Sequence, residues 1–330
     1  MEGRIKQVEN YQFPLTEVKE QLEKARNVTI LTHLNPDADT IGTGLGIYNI
    51  LKQDKTKRVE IVNASNMLPQ YLDFLPSFEK IKHKMDFEES LIIACDCGSI
   101  NRLGFDLEAR EILNIDHHKS NQQYGRVNVV IPQYASASQV AYRLFQKLYT
   151  IDTGSAACFY TALLSDTRYF TTNSVNHEVF EVAKELVDLG VDPANVAFNF
   201  TQRRSLSSIR ILERALGHLQ LASEGRIATL FVTQDDILST GARMPEMEGI
   251  VDYARSLATV EIGLFAVELE DGIRISLRSK SVDVSKVALA FGGGGHKVAA
   301  GFTISQTTLH ETIDTILKKI NELGLLNGKS

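Results

Sequence analysis

Short apolar, β-branched runs alternate with helix-like spacing through the first half of the chain. "VTILT" (28–32), "RVEIV" (58–62), "LIIAC" (91–95) and "EILNI" (111–115) predict strands, and "GLGIYNILKQ", between the first two, predicts a helix. Further on, "SASQVAYRLFQKLY" and "SAACFYTALL" predict helices. "HEVFEVAKELVDLG" places apolar residues three and four apart and stops at Gly190, the residue type that follows a helix end. Strands alternating with helices require parallel crossovers, so the expected fold is α/β with a doubly wound, mainly parallel sheet.

The rhythm changes after "VDPANVAFNFTQRRSL" (191–206). A helix, "LSSIRILERAL", leads into two hairpin-like pairs, "LQLAS" with "RIATLFV" around Glu224-Gly225 and "VEIGLFAVEL" with "IRISLRS" around Asp271-Gly272. Helix "DVSKVALAF", the run "GGGGH" and a helix within "TLHETIDTILKKINEL" complete a smaller α+β module. The expected organisation is a first domain over residues 1–186, a linker over 187–205 and a second domain over 206–330.

Composition narrows the function classes. A chain of 330 residues with 43% hydrophobic and 23% charged residues is an ordinary globular protein, long enough for two cores. No apolar run approaches the ~20 residues of a membrane helix, and the N-terminus has no signal-peptide core, so a cytoplasmic, membrane-free protein is expected. Three cysteines, Cys95, Cys97 and Cys158, do not make a disulfide framework. A formal charge of −6 argues against a long nucleic-acid duplex as partner and leaves small anionic substrates open.

The candidate chemistry lies where strands and helices end. His33, Asp37 and Asp39 follow the first strand in "LTHLNPDADTIGTG" (31–44), where Pro36 rules out a continuous helix. Asp96 follows "LIIAC", Asp116, His117 and His118 follow "EILNI", and Asp166 ends the helix containing "TALLS". Ligands of open α/β sheets bind beyond the carboxyl ends of strands, so the first three clusters share one rim. So many carboxylates together call for a cation, and oxygen donors with imidazole suit manganese, magnesium or iron. Two ions about 3.5–4 Å apart, bridged by one carboxylate, supply a nucleophile and charge stabilisation for phosphoester cleavage; Asp96, alone on a central strand, is the natural bridge. Taken singly, each has a plainer reading: Asp39 as the cap of a helix starting near Thr40, the His-His pair as structural, Asp166 as a turn residue.

Together these residues resemble the DHH phosphoesterase superfamily. "HLNPDADTIG", "CDCG", "NIDHH" and "LLSDTRYF" match its four motifs, and "GGGGHKVAAGF" (292–302) matches the companion DHHA1 domain. The resemblance implies a catalytic DHH domain and a substrate-binding DHHA1 domain closing over the cleft. It further implies one manganese on His33, Asp37 and Asp96 and another on Asp39, Asp96, His117 and Asp166, with Mg2+ or another divalent ion as alternatives. His118 would contact the scissile phosphate and Asp116 would orient its neighbours. Gly293, Gly294, Gly295 and His296 would cradle a substrate phosphate through backbone N–H groups, with Arg278, Lys280, Arg203 and Arg204 as further positive charge. Within the superfamily, a stand-alone chain of this length is similar to the nanoRNase/pAp phosphatase group and to phosphodiesterases acting on pApA or cyclic di-AMP. The implied activity is hydrolysis of very short oligonucleotides such as pApA, with pAp dephosphorylation; a cyclic di-AMP phosphodiesterase and a non-catalytic dinucleotide-binding protein are the alternatives. Arg168 stands where the nanoRNase group commonly has glycine, and is a candidate for contacting a second phosphate. A homodimer is compatible with the architecture.

Overall fold

The computed structural model of the protein describes residues 11–326. The chain divides into two compact units at Arg203/Arg204. The first begins with α1 (Leu15–Lys24) and then lays down β1 (Asn27–Thr32), α2 (Ala38–Leu51), β2 (Arg58–Asn63), β3 (Ile81–Lys82), β4 (Leu91–Cys95), β5 (Ile112–Asp116) and β6 (Val127–Val130). All six strands run parallel, in the order β3-β2-β1-β4-β5-β6. This is the expected doubly wound α/β sheet, with its order reversing between β1 and β4. Such a reversal opens a crevice beyond the carboxyl ends of those two strands, the usual ligand position in this architecture.

Four more helices follow: α3 (Ala137–Phe145), α4 (Thr153–Asp166), α5 (His177–Asp188) and α6 (Pro193–Thr201). The central helix α2 is buried at every residue except Tyr48. Its glycines allow this. A Cβ on Gly42 would stand 2.6 Å from the Cys158 carbonyl oxygen and 2.8 Å from the Ala162 Cβ, and one on Gly46 would stand 2.4 Å from the Phe159 ring, so α2 lies against the backbone of α4 at Gly42 and against a side-chain ring at Gly46. Gly44 faces the sheet instead, against Thr32, Ile61 and Ile30.

Three local expectations change. The strand expected at 111–115 is β5, so Asp116 ends the strand rather than following it. Short β3 and β6 extend the sheet edges unannounced by any long apolar run. The span expected as a linker, 187–205, contains α6: Asp192 caps it by accepting the N–H groups of Ala194 and Asn195, with Pro193 at the first helical position. Its Phe200 sits edge-on to Tyr71 (5.5 Å) and Phe74 (6.4 Å), which makes α6 part of the first unit.

The second unit contains α7 (Leu206–Gly217), β7 (Gln220–Ala222), β8 (Ile227–Val232), α8 (Gln234–Thr240), α9 (Ile250–Ser256), β9 (Ile262–Leu269), β10 (Gly272–Ser279), α10 (Ser285–Ala290), β11 (Gly294–His296), β12 (Ala299–Ile304) and α11 (Leu309–Glu322). Its sheet runs β11-β12-β10-β9-β8-β7. Both expected hairpins form, but β8 and β9 pair in parallel because α8 and α9 carry the chain back between them. The glycine run is not a free loop: Gly294, Gly295 and His296 pair with Gly301, Ala300 and Ala299.

Candidate metal centre

The loop after β1 is shaped by Asp37. Its Oδ1 accepts the N–H groups of Asp39 (3.0 Å) and Thr40 (3.1 Å), capping α2, while its Oδ2 lies 3.7 Å from the Nε2 of buried His33. Asp37, not Asp39, is therefore the cap. Asp39 sits one residue into the helix and turns inward, where its carboxylate accepts the N–H groups of Ala137 (2.7 Å) and Ser138 (3.1 Å) at the start of α3. The positive end of α3 thus partly compensates a carboxylate with almost no exposure to water.

Asp96 follows β4 in the left-handed region (φ 54°), a conformation aspartate tolerates better than most residues, and its N–H is held by the Ile115 carbonyl. The two carboxylate oxygens face opposite ways. Oδ2 lies 3.6 Å from His33 Nε2; Oδ1 lies 3.5 Å from His117 Nε2 and 3.4 Å from His118 Nδ1. That Oδ1 is buried and makes no hydrogen bond with the described residues. A buried carboxylate oxygen without a donor is costly unless a cation faces it.

Asp116 looks inward from the end of β5. Its Oδ1 accepts the N–H groups of His117 and His118 and the Nδ1–H of His118 (2.6 Å), and its Oδ2 accepts from Asn121. Asp116 is therefore fully engaged in fixing the two histidines. His117 Nε2 is left among three carboxylates: Asp96 (3.5 Å), Asp166 at the end of α4 (3.6 Å) and Asp39 (3.8 Å). Three overlapping groups result, His33–Asp37–Asp96, Asp39–His117–Asp166 and Asp96–Asp116–His117–His118; within each, potential ligand atoms lie within 4.8 Å of one another. Side chains that span some 130 positions in the chain thus meet at the crevice between β1 and β4.

Protonation follows the same geometry. Burial, then the charge of Asp166, pushes Asp39 up to about 7; burial, then Asp37, does the same to Asp166. Asp96 is raised well above the carboxylate range by burial and by Asp39. Burial also acts on Asp37 and Asp116, but there the partner histidines, His33 and His118, win and hold the carboxyls below their ordinary value. His118 rises to about 9 despite burial because Asp116 hydrogen-bonds it, whereas burial lowers His117. The carboxylates repel one another without enough local positive charge, so the donor set fits divalent cations: anionic oxygen and neutral imidazole, with no thiolate among the clustered groups.

The remaining expected residues lie elsewhere. Arg168 follows Asp166 by two positions, and its charge, with that of His118, opposes the rise of the Asp166 pKa without overcoming it. In the second unit, His296 and Arg278 both pair with Ala299, from β11 and β10, so they share one face of the sheet two strands apart. The glycines divide. A Cβ on Gly293 would stand 2.4 Å from the Gly301 carbonyl oxygen and one on Gly295 2.5 Å from that of Ala299, so these two serve hairpin packing; a Cβ on Gly294 meets nothing within 4 Å. Arg203 is engaged by Asp73 and Lys280 by the carbonyls of Leu257 and Ala258. Sequence reasoning missed the supporting contacts: Asn121 on Asp116, the α3 terminus on Asp39, and Leu34 O with Arg102 at His33 Nδ1. The α3 and Arg102 contacts carry no local signal, since they join residues 98 and 69 positions apart, whereas Asn121 and Leu34 lie five and one positions from their partners.

A model of the DHH family N-terminal domain matches residues 27–167, and a model of the DHHA1 domain matches residues 224–323. The bifunctional oligoribonuclease and PAP phosphatase NrnA of Thermus thermophilus is 29% identical over 300 residues, covering 89% of this chain and 89% of that protein. NrnA of Bacillus subtilis is 24% identical over 295 residues, 88% of this chain and 93% of that one. The crystal structure of an exopolyphosphatase-related protein from Bacteroides fragilis shares the fold with a TM-score of 0.86 and 25% identity, covering 94% of this chain and 96% of that chain. With both domain models matched in order and the motif residues gathered at the switch point of the sheet, the chain belongs to the DHH–DHHA1 phosphoesterase family.

Proposed function

We propose that the protein is a two-metal phosphodiesterase that cleaves very short oligonucleotides such as pApA to mononucleotides and also dephosphorylates pAp. One observation carries this reading: the oxygens of Asp96 face two different ligand groups, as a bridging carboxylate must. His33, Asp37 and Asp96 would hold one ion and Asp39, Asp96, His117 and Asp166 the other. Manganese suits this mixture of carboxylate and imidazole, with Mg2+ as the competing ion. When bound, such a pair supplies an activated water and neutralises charge on the phosphate.

The protein's own groups do the positioning. A His33 that donates Nδ1–H to the Leu34 carbonyl would turn its Nε2 lone pair toward an ion held with Asp37 and Asp96. Asp116 fixes His118 through Nδ1 and keeps it protonated at neutral pH, leaving Nε2–H to donate to a phosphate oxygen as negative charge develops there. In the DHHA1 unit, the open backbone at Gly294, with His296 and Arg278 on one sheet face, offers a second, terminal phosphate a site. The activities named for the Thermus and Bacillus relatives support the substrate class. Arg168, beside Asp166, favours cyclic di-AMP as the competing substrate.

The test is turnover on pApA, longer oligoadenylates, pAp, cyclic di-AMP and pyrophosphate, with added Mn2+ and with EDTA. Metal-dependent hydrolysis fastest on pApA is expected. Preference for cyclic di-AMP would move the assignment to the second reading, and absence of metal-dependent turnover on the whole panel would overturn both.

A further inference from the structure

The turn after Asp166 holds three successive non-glycine residues in the left-handed region: Arg168 (φ 46°), Tyr169 (φ 58°) and Phe170 (φ 62°). L-residues resist this conformation, and runs of it are rarer than single instances. Buried Thr167 holds it together. Its Oγ1 donates to the Leu163 carbonyl and accepts the Phe170 N–H, its carbonyl accepts the N–H groups of Thr171 and Thr172, and Tyr169 N–H donates to Leu164. The reversal separates two adjacent rings. Phe170 turns inward against Tyr160 and Phe180, while Tyr169 turns outward and remains 46% exposed.

Tyr169 does not emerge onto an ordinary polar surface. Its ring stands edge-on to Phe200 of α6 (6.3 Å, 87°), and Phe200 in turn meets Tyr71 and Phe74 edge-on. Three rings brought from two distant segments therefore back one exposed tyrosine. Three residues of chain, at most ~11 Å even if extended, separate it from Asp166, and a nucleoside bridges that gap. A strained turn beside a candidate metal ligand that serves to present an aromatic ring is the kind of device retained at a ligand site.

We propose that Tyr169, backed by Phe200, is a stacking platform for a nucleobase of the substrate whose phosphate lies at Asp166. The inference rests on the phosphodiesterase reading above and deepens it by naming the group next to the scissile bond that the enzyme grips. Stacking on an aromatic face tolerates any base, so the platform selects for the presence of a base rather than for its identity.

The experiment compares pApA with two analogues, each lacking one base, on wild type, Tyr169→Ala and Tyr169→Phe. In wild type, deleting the stacked base should lower kcat/KM about tenfold to a hundredfold, mostly through KM. Tyr169→Ala should show a similar loss on intact pApA and little further loss when that base is removed, while Tyr169→Phe should behave as wild type. Undiminished discrimination in Tyr169→Ala, or a Tyr169→Phe variant as impaired as the alanine, would overturn the proposal. A binding measurement separates this failure from failure of the activity itself: the fluorescence of a 2-aminopurine dinucleotide in EDTA. Quenching by wild type but not by Tyr169→Ala, with no turnover of pApA, would retain the platform and reject the enzymatic reading; turnover without such quenching would do the reverse.

Discussion

Removing the metal should make this protein's stability fall as pH rises from about 4 to 7. Asp39 is the clearest contributor, being buried and lifted from 3.8 to about 7 by burial and by Asp166. In that window the folded state binds more protons than the unfolded one, so the free energy of unfolding declines with pH, and the Asp39 share of that decline ends near 7. At about 1.4 kcal/mol for each tenfold change in proton affinity, the Asp39 shift corresponds to a loss of the order of 4 kcal/mol. Raised Asp96 and Asp166 act in the same direction, and raised His33 and His118 extend the fall above 6.5. Lowered His117 opposes them, adding stability as pH rises toward 6.5, and lowered Asp37 and Asp116 lose theirs only below 3.8. For a unit of this size the net effect is a fall in Tm of about 10 °C between pH 5 and pH 8. Scanning calorimetry of EDTA-treated protein reads it directly. Adding Mn2+ should flatten the slope, since an ion facing the carboxylates replaces the protons. Asp39→Asn should flatten it without metal. A Tm in EDTA that is level or rises between pH 5 and 7.5, or a slope that Mn2+ leaves intact, would refute the electrostatic account of the site.

Four further outcomes follow from the geometry. Asp96→Asn keeps a residue that tolerates a positive φ but removes the charge proposed to bridge the ions; turnover should drop at least about a thousandfold and bound metal should fall, measured by elemental analysis, while the DHHA1 unit keeps its fold. His118 titrates at about 9, so wild-type kcat should decline as pH rises through that region, and the decline should vanish, at lower overall rate, in His118→Asn. Gly42→Ala puts a methyl 2.6 Å from the Cys158 carbonyl; it should cost about 1–3 kcal/mol in denaturant titration and lower activity by displacing Asp39 from Asp166. Gly294→Ala and His296→Ala should fold normally yet raise KM more than they lower kcat, whereas Gly295→Ala, whose φ of 141° and close contacts admit no side chain, should melt the hairpin as seen by hydrogen exchange.

What could be read from the sequence was whatever depends on residue type and local period. Alternating strands and helices implied the parallel sheet, and the carboxyl-end rule then put His33, Asp37, Asp96 and the Asp116–His118 triplet on one rim before any coordinates. Asp166 is the instructive exception. It ends a helix, not a strand, and reaches the rim because Gly42 lets α2 lie against the backbone of α4 and Gly46 makes room for the Phe159 ring, bringing the start of one helix beside the end of the other. The glycines were visible in "IGTGLGIY", but their partner could not be, since Cys158 and Phe159 lie more than a hundred residues away. The four-glycine run shows the same limit of local reading. Read locally it is an open phosphate cradle, yet Gly293 and Gly295 are small because β12 passes within contact distance, whereas a Cβ on Gly292 or Gly294 meets nothing within 4 Å. Asp37 and Asp39 repeat the point at shorter range. Both could have capped a helix, and the choice fell to Asp37 because the start of α3 arrives to claim the other carboxylate. Chemistry is therefore encoded locally here, whereas the distances that let it act are set by which backbones are allowed to approach.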